Sequence, residues 1–159
     1  MSIPVIVLAA AITMISCASA REESGSEKQG PPVVTRHNPS GVAPPIGAYS
    51  HVGVVKPGAE LVVLAGQLGL SPEGQLPPTV EEQCANALGN VRKLLESEGI
   101  GPENIIKANI WLVDPIDRAR FSELWGQFID GNPPPTMFAY ISGLARPEYL
   151  VEVEVWAVR

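Results

Sequence analysis

The chain is short of the residues that carry most metal, redox and nucleic-acid chemistry. It has two histidines, His37 and His51, and two cysteines, Cys17 and Cys84. Neither histidine stands in a metal-ligand spacing, and the two cysteines do not make a disulfide framework. There is no Cys-x-x-Cys pair, no Walker loop and no Gly-x-Ser-x-Gly elbow. Basic residues never cluster, and the net charge is -6. Phosphate backbones are held by clustered Lys and Arg, so nucleic acid is not an expected partner. No apolar run is long enough for a bilayer, which needs about 20 residues.

What is there is the material of one soluble domain. A chain of 159 residues can enclose a real core, and 45% hydrophobic with 18% charged residues is ordinary for a globular protein. The longest apolar run, Ile3 to Ile15 (IPVIVLAAAITMI), suits the apolar region of a secretory signal, although no Lys or Arg precedes it. Two cleavage readings stay open. Met-Ile-Ser-Cys17 resembles the bacterial lipobox, which would make Cys17 a lipid-modified first residue; Ala18-Ser-Ala20 resembles a signal peptidase site. Residues 21–32 offer nothing to bury and read as a flexible polar tether. The expected organisation is a signal over 1–20, a tether over 21–32 and a domain over 33–159. That is the plan of an exported, periplasmic protein with a possible lipid anchor to the membrane.

Within the domain, Val33–His37, Ser50–Val55 and Leu61–Leu64 read as strands, with a hairpin turn expected at Lys56–Ala59. The third strand runs on into Ala65-Gly66-Gln67, where Gly66 marks a bulge or a close backbone approach. Thr79, with Glu82 three residues on, opens a helix as a capping box. Val80, Cys84, Ala87, Leu88, Val91, Leu94 and Leu95 form its apolar stripe, and Gly99 stops it. Glu81, Gln83, Asn86, Arg92, Lys93 and Glu96 read as a solvated face. Ile105–Val113 is a strand. Asp114-Pro115-Ile-Asp117 starts a second helix, with Pro115 in its first turn and Phe121, Leu124, Trp125, Phe128 and Ile129 as its stripe. Asn132–Pro135 ends it.

The last segment, from Thr136 to Val158, reads as two strands joined by a short loop. Leu150, Val151, Val153, Val155 and Trp156 interleave with Glu152 and Glu154, so both glutamates should share one sheet face. On pattern alone that is a solvated outer face; under a cleft, a carboxylate there could move protons. The order β-β-β-α-β-α-β-β points to an α+β domain with a mixed sheet and two helices on one face. An oligomer could enclose the polar face and make a cleft.

Four stretches, Ile46–Ser50 (IGAYS), Leu64–Leu68 (LAGQL), Gln83–Val91 (QCANALGNV) and Leu150–Glu154 (LVEVE), resemble in order the signature stretches of the RidA/YjgF proteins. The likeness covers about residues 33–159. It implies a chorismate-mutase-like α+β fold, a homotrimer, and small-molecule pockets at the subunit interfaces. It also implies hydrolysis of reactive enamines and imines of 2-amino acids, such as 2-iminopropanoate and 2-iminobutanoate, to 2-oxo acids and ammonia, with no cofactor or metal.

The resemblance carries over unevenly. The family's strand glutamate, which helps position the attacking water, falls on Glu152, and its tyrosine falls on Tyr49. Its Ser-Gly-Gln glycine falls on Gly66, although Ala65 replaces the serine. The family's arginine, which grips the substrate carboxylate in a Pro-x-Arg segment, falls on Thr136 by counting back from the Leu-Ala-Arg-Pro stretch, or on Met137 with a one-residue gap. Neither carries charge. Losing a charge-assisted fork would cost binding on the order of 1.5–3 kcal/mol. Arg146 stands near enough in sequence to be considered as a replacement. The expectation is therefore a family member that binds a small ligand between subunits with an impaired deaminase site; the alternative is an active imine deaminase working through Glu152 and a water.

Overall fold

Eighteen residues of helix supply most of one wall. The computed structural model describes residues 32–159, so the expected signal with Cys17, and the tether up to residue 31, lie outside the described residues. Helix α1 runs Val80–Ser97, with Thr79 at its N-cap. The Thr79 hydroxyl accepts from the Glu82 amide and donates to Glu82 Oε2, so the pair caps the helix as expected. Gly99 takes φ +71°, the left-handed turn that ends helices. Val80, Cys84, Ala87, Leu88, Val91 and Leu95 are buried, whereas Leu94 is 37% exposed at the margin.

The expected solvated face of α1 needs correction. Gln83 is 1% exposed. Its Nε2 donates to Pro77 O and Glu148 O, and its Oε1 accepts from the Leu150 amide. One amide group therefore ties the approach to α1 to the approach to the last strand. Asn86 donates to Gly69 O and Arg92 to Phe128 O, so these too face protein. A polar side chain inside a helical stripe reads as solvent-facing until its partners on other segments are known.

Strand β5 (Ile105–Leu112) is the axis of the main sheet. β6 (Thr136–Tyr140) lies parallel on one side and β7 (Val151–Val158) antiparallel on the other. β3 (Leu61–Val63) and β4 (Gln67–Leu68) both pair with the far edge of β7. β1 (Val34–His37) and β2 (Val52–Val55) form a separate antiparallel pair. Arg36 fastens that pair down by donating to the carbonyls of Pro102, Glu103, Ile105 and Asn132. Helix α2 spans Arg118–Ile129.

Two local expectations are corrected, the hairpin at 56–59 and the start of the second helix, and one pairing is settled by the fold alone. The turn at residues 56–59 exists, but it does not make a hairpin: β2 pairs with β1 and β3 with β7. The two closing strands are not neighbours, because β5 lies between them. The crossover through α2 lays β6 parallel beside β5, and β7 returns antiparallel on the other side. Helix α2 starts after Pro115, with Asp117 as N-cap accepting from the Arg120 amide at 2.7 Å.

The two faces of the sheet differ as the alternation predicts. Ile105, Ala108, Ile110 and Leu112 of β5, with Val151, Val153, Val155 and Ala157 of β7, are fully buried in one core with both helices. Each large apolar side chain so buried contributes about 1.5–3 kcal/mol. Glu152, Glu154 and Trp156 share the opposite face with their cross-strand partners Trp111, Asn109 and Lys107. Leu61 and Val63 of β3 are more than half exposed. The architecture is the expected α+β mixed sheet with two helices on one face.

Gln83→Leu removes three hydrogen bonds and leaves partly buried carbonyl and amide groups unpaired. It should lower the unfolding free energy by about 2–3 kcal/mol, measured by urea denaturation.

Candidate functional site

β4 holds Leu68 opposite Glu152 and Gln67 opposite Val153. Leu64 still donates to Val155 O at 3.0 Å; the pairing is interrupted over residues 65–66, and Gln67 braces the gap by donating its Nε2 to Ala65 O at 2.9 Å. A Cβ built on Gly66 would collide with Glu152 Oε1. Gly66 therefore has no side chain where the Glu152 carboxylate rests: the close approach expected there is made to Glu152. The Glu152 carboxylate, half-buried, accepts no hydrogen bond from any described residue, whereas Glu154 accepts one from Asn109 Nδ2 at 2.8 Å. An unpaired carboxylate on a strand is free to accept a proton or a donor from outside. Asn86 and Asn90 hold the end of β4 to α1 through the carbonyls of Gly69, Leu68 and Leu70.

The register puts the two positions considered for the family arginine on different faces. Thr136 pairs with Ala108, a core-facing residue, and its hydroxyl donates to Pro134 O at 2.9 Å. Met137 pairs with Asn109, the residue opposite Glu154, so Met137 shares the Glu152 face. Neither residue carries charge, and both line the cavity beside Tyr49. Lys107 is the only cation in any strand of this sheet, and it stands opposite Trp156. That is four residues along β7 from Glu152, or about 13 Å. Arg146 does not replace the missing group. Its side chain is 67% exposed, lies 3.8 Å from Glu148 Oε1 and sits over the Tyr149 ring.

Tyr49 lies elsewhere. It lines a cavity of about 500 Å³ at the free edge of β6, between that strand and α2. Phe121, Trp125 and Phe138 form its aromatic wall, and Ser122, Thr136 and Met137 also line it. The indole of Trp125 donates to Ala48 O at 2.8 Å and so holds the loop of residues 46–49 over the cavity. Tyr49 meets His51 edge to face at 5.5 Å. Ile46 lines the cavity too, yet is 96% exposed. Within one chain, then, Glu152 joins Gly66, and Tyr49 joins Met137, but neither Glu152 nor Gly66 lines the cavity. β5 separates β7 from β6, which puts the two groups about 10 Å apart by strand spacing.

One lining residue escaped the sequence reading. Arg118, the first residue of α2, places its guanidinium 5.1 Å from the Phe138 centroid and 5.9 Å from that of Phe121. The signal was helical spacing: Phe121, Ser122 and Trp125 follow it at i+3, i+4 and i+7, on one face. Cys84 is inert by contrast. Burial, with some help from the Glu81 charge, pushes its thiol up to about 12. Among the described residues no group of His, Cys, Asp or Glu could hold a metal ion.

Two glycines on either side of β4 should respond differently to a methyl group. At Gly69 the new Cβ would meet the Gln83 backbone, which cannot move without α1, whereas at Gly66 it meets the end of a flexible glutamate. Gly69→Ala should cost about 1–3 kcal/mol of stability. Gly66→Ala should cost less than half as much while displacing the Glu152 carboxylate. Thermal denaturation of both variants checks the order.

Comparison with known proteins agrees with this geometry. The family model described as Endoribonuclease L-PSP matches residues 40–159. A rat 2-iminobutanoate/2-iminopropanoate deaminase is 30% identical over 116 residues, which is 72% of this chain and 82% of the rat protein. A RutC family protein of Haemophilus influenzae is 33% identical over 97 residues, 61% of this chain and 81% of that protein. Among solved structures, the Rid-family protein YyfB of Yersinia pestis superposes with a TM-score of 0.70 at 22% identity, covering 80% of this chain and 99% of that one. Escherichia coli TdcF, solved with bound serine, gives a TM-score of 0.57 at 27% identity over 79% of this chain and 95% of its own. With a matching family model over most of its length, a shared fold and this register of strands, the chain belongs to the endoribonuclease L-PSP (RidA) family.

Proposed function

We propose that this RidA-family protein binds a small molecule between the subunits of a homotrimer, and that its standard 2-imino acid deaminase site is impaired. The observation that carries the reading is the separation of Glu152 and Gly66 from the Tyr49 cavity within one chain. A second copy set against the open sheet face would bring its Glu152 to the cavity of the first. The exposed side chains of Leu61, Val63 and Trp156 on that face supply apolar area for such a contact. The impairment reading rests on Thr136, or on Met137 with a one-residue gap: neither brings charge to the place where the resemblance puts a carboxylate clamp, and both line the cavity.

The second reading is an active deaminase, favoured by the unpaired Glu152 carboxylate and by the name of the rat relative. In it Glu152 takes a proton from water as the water oxygen bonds to the imine carbon. The resulting carbinolamine collapses to the 2-oxo acid, and the proton leaves with ammonia. The chain lacking residues 1–20 should sediment at the mass of three copies. It should release ammonia from 2-iminopropanoate, generated by an amino-acid oxidase, no faster than buffer. Thr136→Arg should then gain activity. Release above the buffer rate by the unaltered chain would establish the second reading instead.

The same reading includes export to the bacterial envelope, through a signal over residues 1–20, with Cys17 as the lipid site. Palmitate supplied to growing cells should label the protein, and Cys17→Ala should abolish the label; cleavage after Ala20 would leave both unlabelled.

A further inference from the structure

The Tyr49 cavity holds a cation that the family resemblance does not predict. Every other described arginine is committed. Arg36 and Arg92 donate to carbonyls, Arg120 pairs with Glu123, Arg146 with Glu148, and Arg159 with Glu60 and Glu98. Arg118 alone makes no side-chain hydrogen bond or ion pair with a described residue, and it lines the cavity. What holds it is aromatic: its guanidinium lies over Phe138 at 5.1 Å and near Phe121 at 5.9 Å. A guanidinium held only by rings, with no hydrogen bond or ion pair to a described residue, keeps its N–H donors free, and their fork matches a carboxylate with two parallel hydrogen bonds.

The other polar groups of the cavity fit the same division of labour. The Ser122 hydroxyl donates to Arg118 O and the Thr136 hydroxyl to Pro134 O. Both have spent their proton and offer lone pairs only. Neither can hold an anion; the Tyr49 hydroxyl can add one neutral hydrogen bond, and the only charged donor in the lining is Arg118. The remaining wall is apolar and aromatic, from Phe121, Trp125 and Phe138, and about 500 Å³ is far more than a three- or four-carbon acid fills.

We infer that Arg118 is the anion anchor of this site, and that its ligand is a small carboxylic acid with a bulky apolar or aromatic side chain. This rests on the small-molecule reading above; Arg118 and the aromatic wall belong to the same chain, and a second copy would add its Glu152 to the same cavity. The anchor replaces in kind, though not in place, the charge that Thr136 and Met137 lack. Arg118 approaches from α2 rather than from the start of β6. A ligand held from there presents its acid end to α2 and its body to the aromatic wall.

The test uses 3-phenylpropanoate and its uncharged isostere 3-phenylpropanamide, titrated calorimetrically into the full chain. The acid should bind at least about tenfold more tightly than the amide. Arg118→Gln should weaken the acid about tenfold and leave the amide within about twofold. Arg118→Lys, which keeps the charge but not the fork, should fall between. The position is exposed at a helix start, so both variants should keep the parent's melting temperature. Equal affinity for acid and amide, an equal loss of both in Arg118→Gln, or no binding of either overturns the inference. Sedimentation and ammonia release on the same samples judge the intersubunit reading separately, so one can fail while the other stands.

Discussion

The ladder between β5 and β7 is the constraint on which the rest depends. It is antiparallel, with Trp111 opposite Glu152 and Asn109 opposite Glu154. Because side chains alternate, that one register sends Val151, Val153, Val155 and Ala157 of β7 to the helices and both glutamates the other way. A slip of one residue would put the carboxylates in the core, where an unpaired charge is prohibitive. The register is held at both ends: Gln83 grips the approach to β7 through Leu150 and Glu148, and Asn104 reaches the Val158 carbonyl. The Glu152 position thus depends on an amide in a helix on the far side of the sheet.

A second consequence concerns charge. The core side of the main sheet is apolar, and its open side carries a single cation, Lys107. Positive charge reaches the cavity only from the start of α2, where Arg118 lies on aromatic rings instead of against a carboxylate. Its neighbour Asp117 accepts from the Arg120 amide at the helix cap through Oδ1. The cavity is thereby left with a cation whose preferred partner has to come from outside.

Much of this was legible beforehand. Period-2 alternation in 150–156 placed the glutamates on one face, and the capping box and apolar stripe located α1 from its first residue. Gly66 was readable as a close approach because a strand keeps a glycine where a side chain would block a bulge or a neighbouring group. What failed had a common cause. The turn at residues 56–59 looked like a hairpin because local turn chemistry says nothing of which strand lies alongside. Gln83 looked solvated because its partners, Pro77, Glu148 and Leu150, include residues more than sixty positions away.

By itself, the order of residues determined the elements, the family and the chemistry available on each strand, since these follow from local periodicity and short motifs. Only the tertiary structure decided that Met137 and not Thr136 faces with Glu152, that Tyr49 and Glu152 sit in different places on one chain, and that Arg118 is the cation in the cavity. Those depend on which strand pairs with which and in what register, and pairing is chosen by the burial of whole faces, which no local stretch of sequence contains.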